Sequence, residues 1–192
     1  MKLASVIHRV CTGGRGLAVV PAFAGGLDAR PAIERYFRAA GATPIDALLS
    51  LTGFSLVGGP AYNDAAAAET ALAALDVPYL AAQALEFQTL EQWEAAERGL
   101  MPVEATMMVA IPELDGATGP MVYGGRSEAS LGERSRDMQV HAERAEALAA
   151  RVARLVALRR TPVAERKLAI VLFNFPPNAG STGTAAHLSV YA

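Results

Sequence analysis

The 192 residues carry 17 Lys and Arg against 19 Asp and Glu, for a net charge of −2, and 52% of them are hydrophobic. That suffices for a buried core in one domain or two small ones, and the near-neutral balance gives nucleic acid no electrostatic foothold. A single cysteine, Cys11, excludes an internal disulfide and any Cys-x-x-Cys metal motif. With apolar runs too short for a bilayer and no charged-then-apolar leader, the expectation is a soluble protein in a reducing, cytoplasmic setting.

Leu3 to Val10 has helical spacing and ends at Gly13, Gly14 and Gly16, and Leu17 to Phe23 reads as a short strand with Pro21 near its end. Asp28 is the expected N-cap of a helix reaching Ala39, with Pro31 in its first turn and Ile33, Tyr36 and Phe37 facing inward. Asp46 to Leu51 is apolar enough for a parallel strand covered on both faces. A glycine-rich loop, Thr52 to Asp64, precedes an alanine-rich helix ending near Leu75. Val77 to Ala82 is a third strand, and Thr89 caps a short helix around Trp93.

Gly99 to Gly116, GLMPVEATMMVAIPELDG, is the most informative stretch. Pro102 suits a first helical turn. Val103, Met107, Met108, Ala110 and Ile111 predict an element buried on most sides, and Pro112 is expected to stop it. Glu113 and Asp115 then sit on the exit. Acids placed there are solvated, paired or used chemically. A surface turn, with Asp115 bonding its own backbone and Gly116 at positive φ, is the plain alternative.

Met121 to Tyr123 reads as a strand closed by Gly124-Gly125, and Ser127 to Arg136 as a polar, mobile loop. Asp137 to Arg160 is the clearest helix, with Leu148, Val152, Leu155 and Val156 as its apolar stripe and Arg144, Arg151, Arg154, Arg159 and Arg160 mostly facing away. Such a basic face is ordinarily a solvated one. Lys167 to Phe175 is a further strand, and Asn174 to Thr184 leads into a helix. Strands alternating with helices predict an α/β fold with a mostly parallel sheet and flanking helices, whose ligands bind at the carboxyl ends of strands. The expected division is 1–126, an α/β region with the acidic turn; 127–136, the mobile loop; and 137–192, the long helix and the start of a further α/β unit.

Several chemistries find no support. Neither Gly53 to Pro60 nor Pro177 to Thr184 has the Gly-Lys-Ser/Thr of a phosphate loop or the spacing of a dinucleotide fingerprint. Gly53-Phe-Ser55 is not a nucleophile elbow. His8, His141 and His187 are scattered, without metal-ligand spacing.

Four strings, Thr52 to Asp64, Leu85 to Trp93 (LEFQTLEQW), Gly99 to Gly116 and Phe173 to Gly180 (FNFPPNAG), occur in register over nearly the whole chain. Together they resemble the large, porphyrin-binding H subunit of magnesium chelatase in its bacteriochlorophyll-type form, a family shared with the large subunit of cobaltochelatase. Members are several times longer, so the resemblance implies an internal fragment of a larger multidomain protein, inactive when isolated. His187 stands where an aromatic residue is expected.

The resemblance implies ATP-dependent insertion of Mg²⁺ into protoporphyrin IX in chlorophyll and bacteriochlorophyll biosynthesis. ATP is then used by partners, an AAA+-type ATPase subunit and a bridging subunit. Glu113 is the candidate catalytic carboxylate and transient Mg²⁺ ligand, with Asp115 as support or turn-former. Glu86, Gln88 and Trp93 are candidates for holding the porphyrin, with Glu91 as a further acid near them. Phe87, Met107 and Met108 would wall the macrocycle or simply pack the core. Rival readings are cobalt insertion into a corrinoid and a non-catalytic α/β binding fragment.

Overall fold

A computed structural model describes residues 19–20, 27–38, 43–59, 62–128 and 138–169. The readings for 3–10, 129–136 and 170–184, and most of that for 17–23, lie outside these residues. The chain divides into two compact units, Met1–Arg160 and Thr161–Ala192. In the second, Val163–Glu165 form a 3₁₀ turn. Residues 167–169 are exposed and form no strand, where Lys167 was expected to open one.

In the first unit, β1 (Leu48–Ser50), β2 (Tyr79–Thr89), β3 (Met121–Arg126) and β4 (Gln139–Val140) lie side by side in that order among the described residues. The first three are parallel and β4 runs antiparallel to β3. Parallel neighbours need long crossovers, and helices supply them. The alanine-rich helix lies as expected, at Ala65–Leu75, started by Asp64, whose carboxylate accepts the Ala67 N–H at 3.0 Å. The helix before β1, Arg30–Phe37, carries Pro31 in its first turn, and Ile33 and Phe37 are buried. Asp28 is not its N-cap, however; that position is Ala29, and the Asp28 carboxylate, one residue earlier, accepts the Arg30 N–H at 2.9 Å and also pairs with the Arg30 guanidinium. Tyr36, expected inside, is 42% exposed.

Helices cover both faces of the sheet. On one face Ile33, Phe37, Leu56, Val57, Ala68, Leu75, Tyr79 and Ala81 make the larger core. On the other, Ala145, Leu148 and Ala149 of the long helix Ala142–Arg160 pack against Ala82, with Leu49, Met121 and Tyr123 alongside. A third cluster, Leu85, Leu90 and Val122 with Trp93 and Leu100, fills the carboxyl end of β2.

Two strands outrun the sequence reading. β2 continues past Ala82 to Thr89, and β3 continues through Gly124-Gly125 to Arg126. The glycines do not close β3; they let it approach its neighbour. A Cβ on Gly125 would lie 2.7 Å from Leu85 Cβ, closer than carbon atoms pack, at the point where the β2–β3 register slips.

Candidate functional site

The crossover from β2 to β3 positions the candidate residues. Thr89 ends β2 and caps Leu90–Ala95 as expected, in a reciprocal box with Gln92: Thr89 Oγ1 accepts the Gln92 N–H at 3.2 Å, and Gln92 Oε1 accepts the Thr89 N–H at 3.0 Å. After Gly99 the chain turns into Pro102–Glu104, then a π-helical stretch Ala105–Ala110, then Ile111–Leu114, without a break.

Pro112 therefore does not stop the helix. Ile111 keeps helical angles (φ −65°, ψ −49°), and its N–H bonds the Thr106 carbonyl in the wider π register. A proline inside a helix withholds an N–H from the carbonyl four residues back. Here that carbonyl belongs to Met108, and Gln83 Nε2 donates to it at 2.5 Å from β2. Nor is the segment buried on most sides. Glu104, Met108, Pro112 and Asp115 form one buried stripe, whereas Val103, Ala105, Thr106, Ala110, Glu113 and Leu114 are exposed.

Glu113 and Asp115 part company across this divide. Asp115 is 1% exposed; its Oδ2 accepts the Leu56 N–H at 2.7 Å, and its Oδ1 accepts Asn63 Nδ2 at 2.7 Å and Ser55 Oγ at 3.2 Å. It is the anchor of the glycine-rich loop after β1. Glu113 is exposed, and among the described residues its carboxylate meets no hydrogen-bond or ion-pair partner.

At the carboxyl end of β2 the other candidates separate likewise. Glu86 and Phe87 face out, while Gln88 is buried and donates from Nε2 to Glu104 Oε2 at 2.5 Å and to the Gly99 carbonyl at 3.3 Å. Trp93 is half-buried over Leu85, Leu90 and Leu100, edge-on to the His141 ring at 6.0 Å. Glu91 accepts Ser127 Oγ at 2.6 Å and the Glu128 N–H at 3.0 Å, and these donors lower its pKa to about 2. Burial raises the Tyr79 hydroxyl well above the usual phenol range; Ser50 opposes this and the Asp115 carboxylate adds to it.

Sequence reasoning missed Glu104, which is fully buried. Its Oε2 also accepts the Met101 N–H at 3.0 Å, while Oε1 is buried without a partner among the described residues. A glutamate two residues after an N-terminal proline, followed at four-residue steps by Met108 and Pro112, was the available signal. Among the described residues no three His, Cys, Asp or Glu side chains gather as a metal-binding cluster. No described helix is long and apolar enough to cross a membrane.

Known proteins place the chain. The sequence profile described as CobN/Magnesium Chelatase matches residues 5–192. The chain is 55% identical over 190 residues to the magnesium-chelatase H subunit of Cereibacter sphaeroides, covering 92% of this chain and 16% of that protein. It is 44% identical over 179 residues to the chloroplastic magnesium-chelatase protein ChlH of Oryza sativa subsp. indica, covering 92% of this chain and 12% of the relative. The aerobic cobaltochelatase protein CobN of Pseudomonas aeruginosa is 35% identical over 123 residues, covering 61% of this chain and 10% of the relative. The chain thus spans a small part of the length of these relatives. With the profile running through the β2–β3 crossover and nearly the whole chain besides, this chain belongs to the CobN/magnesium chelatase family.

Proposed function

We propose that the chain takes part in inserting Mg²⁺ into protoporphyrin IX, as part of a cytoplasmic magnesium-chelatase H subunit on the route to chlorophyll and bacteriochlorophyll. In that reaction the two pyrrole N–H protons leave as the hydrated cation sheds water and enters the ring. A carboxylate serves both needs, because oxygen suits Mg²⁺ and an ionised glutamate accepts a proton. Glu113 is the residue proposed for this work.

The observation carrying this reading is the contrast among three acids of one segment. Asp115 and Glu104 are held inside the fold, whereas Glu113 stands exposed with no partner among the described residues. Glu86 and Phe87, exposed at the carboxyl end of β2 beside Trp93, are the proposed porphyrin contacts, with Gln88 holding the strand end behind them. ATP hydrolysis is assigned to an AAA+-type subunit acting through a bridging subunit, a division supported by glycine-rich stretches that lack a phosphate-loop lysine. The higher identity to magnesium-chelatase proteins, over more of the chain, supports magnesium over cobalt.

The test is Glu113→Gln, placed in a full-length H subunit that carries this chain in place of its matching segment, with all partners supplied. Porphyrin binding should stay near normal while metallation falls about 100-fold or more, as loss of a proton-accepting group predicts. Normal metallation, or a loss of binding that matches the loss of rate, removes Glu113 from the mechanism.

A further inference from the structure

One flank of the long helix holds a second feature that the Glu113 reading does not use. Met121, Ala147, Ala150, Arg151, Arg154 and Leu155 line an open cleft of about 510 Å³ between that helix and the start of β3. This is within the size range of small-molecule sites. Among the described residues its walls are apolar apart from two guanidinium groups, and no described carboxylate lines it.

Other arginines of this helix are spoken for. Arg144 pairs with Glu143, Arg159 with Asp76 and Arg160 with Asp46. Arg151 and Arg154 make no ion pair or hydrogen bond among the described residues, although they stand one turn apart with like charge. Arg151 also packs against backbone. Gly119, at φ +58°, lets its guanidinium lie against the turn entering β3, where a Cβ would fall 1.9 Å from Nη2. Two unmatched guanidinium forks beside an apolar floor suit an apolar body bearing two carboxylates, because the fork geometry meets a carboxylate with two parallel bonds.

We propose that this cleft is a dicarboxylate subsite: Arg151 and Arg154 pair with the two propionate arms of a porphyrin whose edge rests on Met121, Ala147, Ala150 and Leu155. The ligand's identity rests on the function proposed above. Gly119 lies six residues beyond Glu113, so the chain keeps the two Cα atoms within about 21 Å. The Ala117 N–H bonded to the Pro112 carbonyl at 3.0 Å shortens that path.

Fluorescence titration of the chain with protoporphyrin IX and with its dimethyl ester, in one detergent-containing buffer, tests the proposal. The diacid should bind about tenfold more tightly than the ester, as two partly screened charge-assisted pairs allow. Arg151→Gln/Arg154→Gln should bind both alike, with ester affinity unchanged; damage to the fold would weaken both. Arg151→Lys/Arg154→Lys should keep part of the preference. Equal binding of both probes by the unmodified chain, or a preference that survives in the Gln double variant, overturns the subsite. If Glu113→Gln metallates normally while the arginines still set the preference, the Glu113 role falls and the cleft stands. If metallation is lost in Glu113→Gln and the preference ignores the arginines, the cleft falls and the Glu113 role stands.

Discussion

The two ends of the helical segment 102–115 within the β2–β3 crossover solve one problem in different ways. Each buries an acid completely, Glu104 at the start and Asp115 at the finish. Asp115 has both oxygens occupied by three donors drawn from the loop after β1. Glu104 uses one oxygen, shared by Gln88 and the Met101 N–H, and the other has no partner among the described residues. A fully matched carboxylate is a fixed part of the framework, because each donor would be stranded without it. A half-matched one is replaceable, since only one of its atoms has a task.

Asp115→Asn breaks the matched end and should have the largest effect. Its new amide must face at least one donor, so unfolding free energy should drop by about 2–3 kcal/mol in urea titrations. An unchanged midpoint would mean that the three donors find other acceptors. Gln83→Leu attacks the middle of the same segment by stranding the Met108 carbonyl above Pro112, and a loss of about 1–2 kcal/mol is expected by the same measurement. At the half-matched end, Glu104→Gln keeps an acceptor for Gln88 and Met101 and should change stability by less than about 1 kcal/mol. A loss as large as that for Asp115→Asn would erase the distinction between the two ends.

The smallest effect belongs to an acid outside the segment. Glu91 has its pKa lowered from 4.5 to about 2 by Ser127 and the Glu128 N–H, so its contacts favour the folded state above pH 4.5. That contribution fades as pH falls from 4.5 towards 2. The stability gap between the unmodified chain and Glu91→Gln should therefore be constant near neutrality and close across that window in acid unfolding. A gap that is independent of pH would show that the Ser127 contact does not hold the carboxylate ionised.

Local signals were legible wherever a feature was closed by residues close in sequence. Thr89 as a cap, the helix Ala65–Leu75, and Leu148 and Val152 in the stripe of the long helix are of this kind. Leu155 and Val156 of that stripe are only half-buried, however, and Gln139–Val140, expected in that helix, form β4. The α/β class with a mostly parallel sheet followed from their alternation. Illegible features depend on partners far along the chain. Pro112 reads as a stop until Gln83, 25 residues before Met108, is seen to take the freed carbonyl. Asp115 reads as a turn-former until Leu56 and Asn63 come to it. Tyr36 and the exposed side of 103–114 were misjudged because an apolar side chain in a short amphipathic stretch carries no mark of which flank is covered. At the candidate site, the sequence marked Glu113 and Asp115 together, and their opposite exposures are a product of folding.

The Asp115 tie also sets an order of events. Its bond to the Leu56 amide joins positions 59 apart, and that to Asn63 joins positions 52 apart. Closing spans of this length costs roughly 3–4 kcal/mol of chain entropy before any bond repays it. During synthesis the loop after β1 leaves the ribosome before its anchor, and the tie cannot form until Asp115 emerges. If the tie forms after the folding nucleus, Asp115→Asn should accelerate unfolding and leave the folding rate nearly untouched in a denaturant chevron.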